Sequence, residues 1–456
     1  MRLRISGVNE LVTKEVCIID AGYYTIKQHI MLEMRIKFVV GITRVFFAVF
    51  LFSLLSVCNL LVAQVKIEGL LYLDHSPVSI EITDGRITDI IRLKNVPEDF
   101  PKVYIAPGFI DNQVNGFAGV TFALGNGDLT LEGVIKATKT LWESGVTTYM
   151  PTLTTNSKGL LLKNLSILAE AKEEPGLHGS IAGFHLEGPY ISPKDGYRGA
   201  HPKEHVRDPD WNEFMEFYKA SGGNILQVTV APEAEGALEF ITKCKNAGIE
   251  VGLGHHNSSM DLITEAIDRG AVVATHLGNG IAGNIDRHHN PFWPQLSDNR
   301  LMISIICDGF HLPPEMIRVF YKAKGPEMTI LTSDVTSFGG LPPGNYSTGD
   351  GESIEINQEG KLWNIDQNSL YGSASPITKG VGHVMKVTGC SLGDAIQMAS
   401  TNPARLYGLD DRGEIRTGLR ADLVLFSLED YKINIHQTIV SGNVVYSNQL
   451  NNKKYD

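Results

Sequence analysis

Cysteine is scarce in this chain, with five cysteines among 456 residues. Two of them precede the globular part of the sequence, and the other three are far apart and form no CxxC pair. In chain order they are Cys17, Cys58, Cys244, Cys307 and Cys390. Disulfide frameworks and thiolate zinc sites need closely and regularly spaced cysteines. The sequence therefore indicates neither kind of site.

Positive charge is also in deficit, since 40 lysines and arginines face 51 aspartates and glutamates, for a formal net charge of -11. A run or face of basic residues is the usual mark of a nucleic-acid-binding protein. No such run stands out in the folded part, so we expect no nucleic-acid partner. No GxGxxG turn follows a strand-like segment either, which argues against an open dinucleotide-binding sheet.

Charge is absent from one stretch near the N-terminus, residues 45–63, which reads VFFAVFLFSLLSVCNLLVA and follows Arg35, Lys37 and Arg44. Basic residues before an apolar run that ends in a small residue are typical of a secretory signal peptide. We therefore predict a signal peptide over residues 34–63, after an N-terminal extension of doubtful reality over residues 1–33. An uncleaved membrane anchor is the alternative, because about 20 apolar residues can span a bilayer.

The location of the protein depends on that segment. A functional leader predicts a periplasmic or secreted protein, and a non-functional one predicts a cytoplasmic protein. Contact with a membrane is expected only if the apolar segment stays uncleaved.

Both ends of the remaining chain have a sequence pattern that is typical of β-strands. Residues 64–107 and 410–456 contain short alternating runs of apolar residues, and the Asp84-Gly85 pair between two such runs is a hairpin signal. We predict one small β-sandwich domain that is built from both ends.

Between these ends, over residues 108–409, strand-like runs alternate with helix-like segments. We count eight strands: YIAPGFID, VTTYMPT, IAGFHLEG, ILQVTVAPE, EVGLGHH, AVVATHLGN, LMISIICDGFH and MTILTSDVT. Eight strands separated by helices are what a (β/α)8 TIM-like barrel requires. The segment 338–375, rich in glycine and asparagine, is predicted to form a loop hairpin over the barrel mouth.

Residues 251–279 are a βαβ unit with a histidine at the end of each strand. His255 or His256 follows the first strand, and His276 follows the second. Parallel strands are buried on both faces, so chemistry in a barrel is placed where the strands end. Two imidazoles at neighbouring strand ends can converge on one metal ion. Taken alone, each of these histidines is more simply interpreted as a solvated loop residue.

Several motifs in their order along the chain carry a resemblance to a known family. They are APGFIDNQVNG, GFHLEGPYIS followed by RGAH, GLGHHNSS, THLGN, ICDGFH, LTSDVT, and TNPARLYGL with GLRADLVLF. Together they resemble the N-acetylglucosamine-6-phosphate deacetylases of the amidohydrolase superfamily, from about Val65 to the C-terminus. The resemblance implies a metal-dependent enzyme that hydrolyses the N-acetyl amide of an amino sugar phosphate, releasing acetate.

The same resemblance implies a metal site. The family's ligands match Glu187, His255 and His276, and such a set leaves open coordination for water and substrate. Many amidohydrolases carry HxH after the first strand and bind a second metal, whereas this chain has Gln113 and Asn115 there. We therefore expect one divalent ion, with zinc as the first candidate. Strand alternation points His256 to the other side.

Catalytic and substrate roles follow from the family in the same way. Asp334 matches the general base and acid, and His201 matches the residue that polarises the amide carbonyl and binds substrate. The expected substrate-binding residues also include Gln113, Asn279, Gly280, Arg287 and His311. An arginine suits a phosphate group because its planar fork donates two parallel hydrogen bonds. A homodimer with Arg287 near its interface is expected as well.

The sequence departs from the family after that arginine, where it reads RHHNPFWPQLSDNR. Aromatic and histidine side chains here would alter the region expected to hold the phosphate. Two alternatives therefore stay open: an exported amidohydrolase acting on a different N-acyl amino sugar, with or without a phosphate, or on a related amide, and a non-catalytic sugar-binding barrel.

Overall fold

A computed structural model describes residues 65–123, 128–349 and 351–448, together with residues 29, 31–35 and 37. The predicted extension and leader lie outside these residues, apart from the few positions between 29 and 37. Among the described residues, no helix has both the length and the apolar character needed to cross a bilayer. Everything described below belongs to one compact unit, Gln64–Asp456.

Both ends of this unit meet in one seven-stranded sheet, which confirms the predicted β domain from the two chain ends. Its strands, in chain order, are β1 Val65–Leu71, β2 Pro77–Thr83, β3 Arg86–Arg92, β4 Tyr104–Pro107, β19 Leu423–Glu429, β20 Lys432–Val440 and β21 Asn443–Ser447. Their order across the sheet is β21-β20-β19-β4-β1-β2-β3. Asp84 and Gly85 form the predicted hairpin turn between β2 and β3, with φ of 50° and 74°, because a tight turn of this type needs positive φ.

The eight predicted barrel strands are all present as a parallel sheet. They are β5 Phe109–Val114, β8 Val146–Thr154, β9 Phe184–Glu187, β10 Ile225–Val230, β11 Glu250–Leu253, β12 Ala271–Ala274, β13 Met302–Ile306 and β14 Thr329–Thr332. Each strand pairs with the next in chain order. A parallel bridge between Val114 and Val335 joins the first strand to the segment after the last. The sheet thus forms the nearly closed TIM-like barrel that the strand count predicted.

Ten α-helices accompany these strands within the described residues between 65 and 448. They are α1 Leu131–Trp142, α2 Lys158–Lys172, α3 Trp211–Ala220, α4 Ala237–Asn246, α5 Met260–Arg269, α6 Phe292–Ser297, α7 Pro314–Lys324, α8 Ile377–Thr388, α9 Leu392–Ile396 and α10 Asn402–Leu406.

Helix α5 shows why such segments are helical. Ser259 caps its first turn by accepting a hydrogen bond from the backbone N–H of Leu262, and Gly270 ends it with φ of 127°. Its buried residues Ile263, Ala266 and Ile267 recur at helical spacing.

The segment over the barrel mouth is more than the predicted loop hairpin. It forms a four-stranded antiparallel sheet, here called the mouth sheet, from β15 Gly344–Ser347, β16 Ser353–Ile356, β17 Leu362–Asn364 and β18 Ser369–Leu370. The mouth sheet has an apolar cluster of its own, which includes Phe338, Ile354, Ile356, Leu362 and Tyr371. A short hairpin of β6 Gly116–Phe117 and β7 Val120–Thr121 lies after the first barrel strand.

Gly108 divides the predicted first strand, YIAPGFID, into two. The part before it is β4, which belongs to the seven-stranded sheet, and the part after it is β5, the first barrel strand. A Cβ atom on Gly108 would lie 2.1 Å from Thr147 Oγ1 and 2.2 Å from its Cγ2. Because Thr147 is fully buried, only glycine lets the chain pass this point.

Gly108→Ala should therefore destabilise the protein, by about 1–3 kcal/mol, the usual cost of overpacking a buried site. The measurement is the midpoint of urea unfolding followed by circular dichroism. Gly159→Ala is the matched control, because it lies in α2 and a Cβ there meets nothing within 4 Å; it should leave the midpoint unchanged or raise it. Equal midpoints for Gly108→Ala and the wild type would contradict this packing argument.

Candidate active site

Three side chains from the ends of barrel strands β9, β11 and β12 converge at the mouth of the barrel. Glu187 ends β9, His255 follows β11 and His276 follows β12. Glu187 Oε1 lies 2.7 Å from His276 Nε2 and 3.3 Å from His255 Nε2. All three side chains are buried. The structure thus brings together the three predicted metal ligands.

The protonation of His255 follows from its partner on the other side of the ring. Its Nδ1 lies 2.9 Å from the carbonyl oxygen of Tyr197, and a carbonyl can only accept, so Nδ1 carries a proton. In the neutral ring Nε2 then holds a lone pair, which faces the carboxylate oxygen of Glu187. Two such acceptors at 3.3 Å are stabilised by a metal ion between them or, without a metal, by a second proton on the ring, the form in which His255 lowers the pKa of Glu187. A divalent metal fits this donor set, because metal-binding imidazoles commonly donate their other N–H to a carbonyl.

His201 is in the opposite state. The backbone N–H of Thr155 lies 3.3 Å from His201 Nδ1, and because an N–H can only donate, Nδ1 is the acceptor. Burial, and then the neighbouring His255, lower the pKa of His201 to about 3, so the ring is neutral. Its proton is therefore on Nε2, which makes His201 a hydrogen-bond donor towards a ligand.

This difference decides between two possible metal-binding sets. Glu187, His201 and His255 each place one donor atom within 4.8 Å of the others, so proximity alone would admit His201 as a ligand. Its Nδ1 is already engaged by Thr155, with the Thr155 hydroxyl at 2.8 Å, and its Nε2 carries the proton. A nitrogen with a proton has no lone pair for a metal, and the His201 proton faces no carboxylate. The proton between His276 Nε2 and Glu187 Oε1, 2.7 Å apart, lies where a metal ion would replace it, so the set with His276 is favoured.

Asp334 lies beside this group and is held by two amides. Gln113 Nε2 donates to Asp334 Oδ1 at 3.0 Å and to Glu187 Oε1 at 2.8 Å, and Asn115 Nδ2 donates to Asp334 Oδ1 at 2.7 Å. Burial, followed by the nearby charge of Glu187, raises the pKa of Asp334 to about 6. A carboxyl group whose pKa is close to neutrality can both accept and return a proton.

The charge of Glu187 is balanced by its imidazole neighbours. Burial alone would raise the pKa of Glu187, but His255 and His276 hold it well below its usual range. The pKa of His276 is raised because the hydrogen bond and charge of Glu187 outweigh the effect of burial. The site therefore keeps an ionised carboxylate in a buried place, which requires a positive partner.

Backbone conformation at the site is unusual. His255, His276 and Asp334 have φ of 51°, 32° and 51°, in a region that residues with a Cβ rarely adopt. Such conformations cost free energy and gather at active sites, where the surrounding fold imposes them. Here all three occur just past a strand end, so the left-handed turn directs each side chain into the mouth.

These residues line a cavity of about 190 Å³. Its walls include Asn279, Gly280 and His311, as the family resemblance implied, and none of its described lining residues is a lysine or arginine. His311 is oriented by Asp308, whose Oδ2 lies 2.8 Å from His311 Nδ1. Burial raises the pKa of Asp308, but the hydrogen bond and charge of His311 outweigh it and lower that pKa to about 2.

Sequence reasoning missed one wall of this cavity, formed by Leu370, Tyr371 and Gly372. These residues follow the mouth sheet, and Ser373 next to them pairs with the segment after Asp334, its N–H donating to Asp334 O at 3.1 Å. No local pattern marks them, because their place depends on pairing between segments about 40 residues apart.

Two of the predicted substrate-binding residues, Gln113 and Arg287, are not among the residues that line the cavity. Arg287 is exposed. His256 is buried beside Phe292 and Gln295 and does not line the cavity. Strand alternation is not the reason, because β11 ends at Leu253 and His255 has φ of 51°. His185 is part of β9, two residues before Glu187, and lies inside the barrel. Its Nε2 is 2.8 Å from Thr229 Oγ1, and burial lowers the pKa of His185 to about 4.

Comparison with known proteins gives a consistent picture. The model of the amidohydrolase family matches residues 104–291 and 347–445. N-acetylglucosamine-6-phosphate deacetylase from Bos taurus is 32% identical over 369 residues, which are 78% of this chain and 86% of that protein. The Bacillus subtilis deacetylase of the same name is 30% identical over 376 residues, 80% and 92% of the two chains.

A solved structure is similar as well. It is an aspartate-to-alanine mutant of N-acetyl-D-glucosamine-6-phosphate deacetylase from Mycobacterium smegmatis in complex with N-acetyl-D-glucosamine-6-phosphate. Its TM-score to this chain is 0.74 at 28% identity, and the match covers 84% of this chain and 100% of that one.

The geometry of the site predicts different behaviour for the two adjacent histidines, because His255 faces Glu187 and His256 does not line the cavity. His255→Ala should weaken zinc binding by at least about tenfold, because one of three protein donors is lost. His256→Ala, the matched control, should bind zinc as the wild type does. Competition with a chromophoric chelator measures both affinities. The assignment would be wrong if His256→Ala lost zinc and His255→Ala retained it.

Proposed function

The chain belongs to the amidohydrolase family, and within that family we propose that it hydrolyses the N-acetyl amide of N-acetylglucosamine 6-phosphate, giving glucosamine 6-phosphate and acetate. The observation that carries this proposal is the mouth cavity, which combines a two-histidine, one-glutamate donor set with Asp334 and His201. Relatives that share about a third of their residues with this chain bear the name of that deacetylase.

Glu187, His255 and His276 are the residues that would hold a single divalent metal, with zinc as the first candidate. The ion would supply Lewis-acid activation of the attacking water and of the amide carbonyl. Gln113 and Asn115 stand where many amidohydrolases place further histidine ligands. Because both donate their amide hydrogens to carboxylates, they support a site with one metal.

Asp334 is proposed to move the proton. Its carboxylate accepts a proton from the water whose oxygen forms the new bond to the acetyl carbon. The same group then donates that proton to the amide nitrogen as the C–N bond breaks, so that acetate and a primary amine leave. Gln113 and Asn115 fix Asp334 Oδ1, which leaves the other carboxylate oxygen for this transfer.

His201 is proposed to polarise the acetyl group. With Nδ1 held by Thr155, the Nε2–H is available to donate to the amide carbonyl oxygen. A donor that is already oriented stabilises the negative charge developing on that oxygen without further reorganisation.

Binding of the sugar phosphate is proposed to involve Asn279, Gly280 and His311 in the cavity wall and Arg287 outside it. Since the described lining carries no lysine or arginine, the positive charge that pairs with the phosphate has to come from a residue outside the cavity wall. Ile285 and Trp293 on either side of Arg287 are 38% and 48% exposed. Exposed apolar residues at this place support a homodimer whose interface lies near Arg287.

The location of the enzyme stays a prediction. A functional leader over residues 34–63, proposed from the basic and then apolar sequence there, would place the enzyme in the periplasm or outside the cell. Sugar phosphates are mainly cytosolic metabolites, so a functional leader would favour the alternative substrate, another N-acyl amino sugar, whereas N-acetylglucosamine 6-phosphate as substrate fits a non-functional leader and a cytoplasmic enzyme.

The direct experiment is a measurement of acetate release by protein beginning at Gln64, with a panel of N-acetylated amino sugars tested with and without a 6-phosphate. We expect the highest kcat/KM for N-acetylglucosamine 6-phosphate. Higher kcat/KM for unphosphorylated sugars would favour the exported amidohydrolase instead, and a protein that binds metal but releases no acetate from any of them would contradict the proposal.

Asp334→Asn should lower kcat by about 10²- to 10⁴-fold, because an amide cannot accept the proton of the attacking water. Metal content and thermal unfolding should stay close to those of the wild type. Asp268→Asn is the control, since Asp268 is exposed on α5 and pairs only with the exposed Arg300; it should leave kcat unchanged. Normal turnover by Asp334→Asn would remove this residue from the mechanism.

Arg287→Ala should raise KM for the phosphorylated substrate by about tenfold or more, the usual effect of losing a charge-assisted hydrogen bond. KM for the unphosphorylated analogue should change little. Steady-state kinetics with both substrates separates these effects, and Arg318→Ala, an exposed arginine on α7, is the control. Equal increases for both substrates would count against a phosphate contact.

A further inference from the structure

Lys379 lies where a lysine is unfavourable on two counts. It is in the first turn of α8, which begins after Pro376, and a positive charge in the first turn of a helix opposes the helix dipole. Its side chain is also half-buried, and burial is the main cause of the lowered pKa of Lys379. A lysine kept in such a place needs partners that compensate both costs.

Three different segments of the chain supply those partners. Lys379 Nζ donates to the carbonyl oxygen of Glu359 at 2.9 Å and to Ser375 Oγ at 3.2 Å. It also lies 4.1 Å from the centre of the Phe310 ring, and the electron-rich face of an aromatic ring attracts a cation. Lys379 therefore contacts the mouth sheet, the chain that enters α8 and the segment after β13 at one point.

On one side, these contacts hold the end of the mouth sheet. Glu359 belongs to the turn between β16 and β17. Gly360, next to it, packs on the same group, since an added Cβ atom would lie 3.7 Å from Lys379 Nζ and 3.8 Å from Ser375 Oγ. The two strands share an apolar cluster with Tyr371, which lines the substrate cavity. The position of this turn is thus coupled to one wall of the cavity.

On the other side, the contact with Phe310 reaches the segment that carries His311, another residue of the cavity wall. Asp308 orders this segment by accepting the backbone N–H groups of Phe310 and His311 at 2.9 and 3.0 Å. The charge of Asp308, and then that of Glu359, favours the protonated form of Lys379 and so raises its pKa against the effect of burial. The ammonium therefore joins two segments that both lead into the substrate cavity.

We propose that Lys379 is a positioning residue for substrate binding, which ties the mouth sheet to the His311 segment and so keeps the cavity walls at Tyr371 and His311 in place. None of its three partners is a metal ligand or a proposed catalytic residue, so substrate affinity rather than the chemical step should depend on it. This role rests on the proposed function, because the substrate is the ligand whose binding the two walls determine.

Steady-state kinetics of the metal-loaded enzyme tests this role. Lys379→Met keeps the length of the side chain but loses its charge and donors, so KM for N-acetylglucosamine 6-phosphate should rise at least about fivefold, while kcat stays within about twofold. Lys379→Arg should give a KM nearer to that of the wild type, because a guanidinium group keeps the charge, the donors and the ring contact. Lys386→Met, an exposed position further along α8, is the matched control and should change neither constant. Thermal unfolding checks that all variants fold.

Hydrogen–deuterium exchange gives a second measurement that does not depend on activity. Lys379→Met should exchange faster than the wild type in two separate segments, residues 352–372 and 308–312, and at the same rate in α4. The proposal would be overturned if KM of Lys379→Met equalled that of the wild type, if kcat fell as much as KM rose, or if only one of the two segments exchanged faster. A wild type that released no acetate from any N-acetylated sugar would contradict the proposed function instead, and the exchange rates would still decide whether Lys379 joins the two segments.

Discussion

The contact between His255 Nε2 and Glu187 Oε1, 3.3 Å apart, is the constraint on which the site depends. With the His255 Nδ1 proton committed to the carbonyl of Tyr197, two acceptors face each other in a buried place. Such a pair is unfavourable unless positive charge joins it, and a divalent metal supplies that charge without relying on protonation of the ring. The donor set is therefore built for a metal, and the same logic, applied to Thr155 and His201, places His201 outside that set as a hydrogen-bond donor.

The barrel stabilises the unfavourable backbone conformations of the site. Left-handed backbone at His255, His276 and Asp334 is unfavourable for residues with a Cβ, and each position is held by an adjoining strand of a parallel sheet. Gln113 and Asn115, which come from the first barrel strand and the residue after it, donate hydrogen bonds to Glu187 and Asp334. These bonds hold the proposed base next to the metal-binding group. Residues on five strands or strand ends thus act as one unit, which only the closed barrel can assemble.

Part of this was predictable from local patterns in the sequence. Buried parallel strands are short apolar runs followed directly by polar side chains, so the eight strands and the polar groups at their ends could be predicted, and the family resemblance then selected Glu187, His255 and His276 among those groups. The division of the first strand at Gly108 could not be predicted, because it results from a contact with Thr147. Three other features could not be predicted either, because they depend on distant segments of the chain. They are the cavity wall at Tyr371, the hydrogen bonds between Thr155 and His201, and the exposed position of Arg287.

X-ray absorption spectroscopy of the zinc-loaded protein tests the central claim most directly, because it counts imidazole ligands around the metal. The tautomers assigned here predict one zinc ion with two imidazole nitrogens at about 2.0–2.1 Å, the rest of the shell being oxygen. A shell with three imidazoles would place His201 among the ligands and contradict the account.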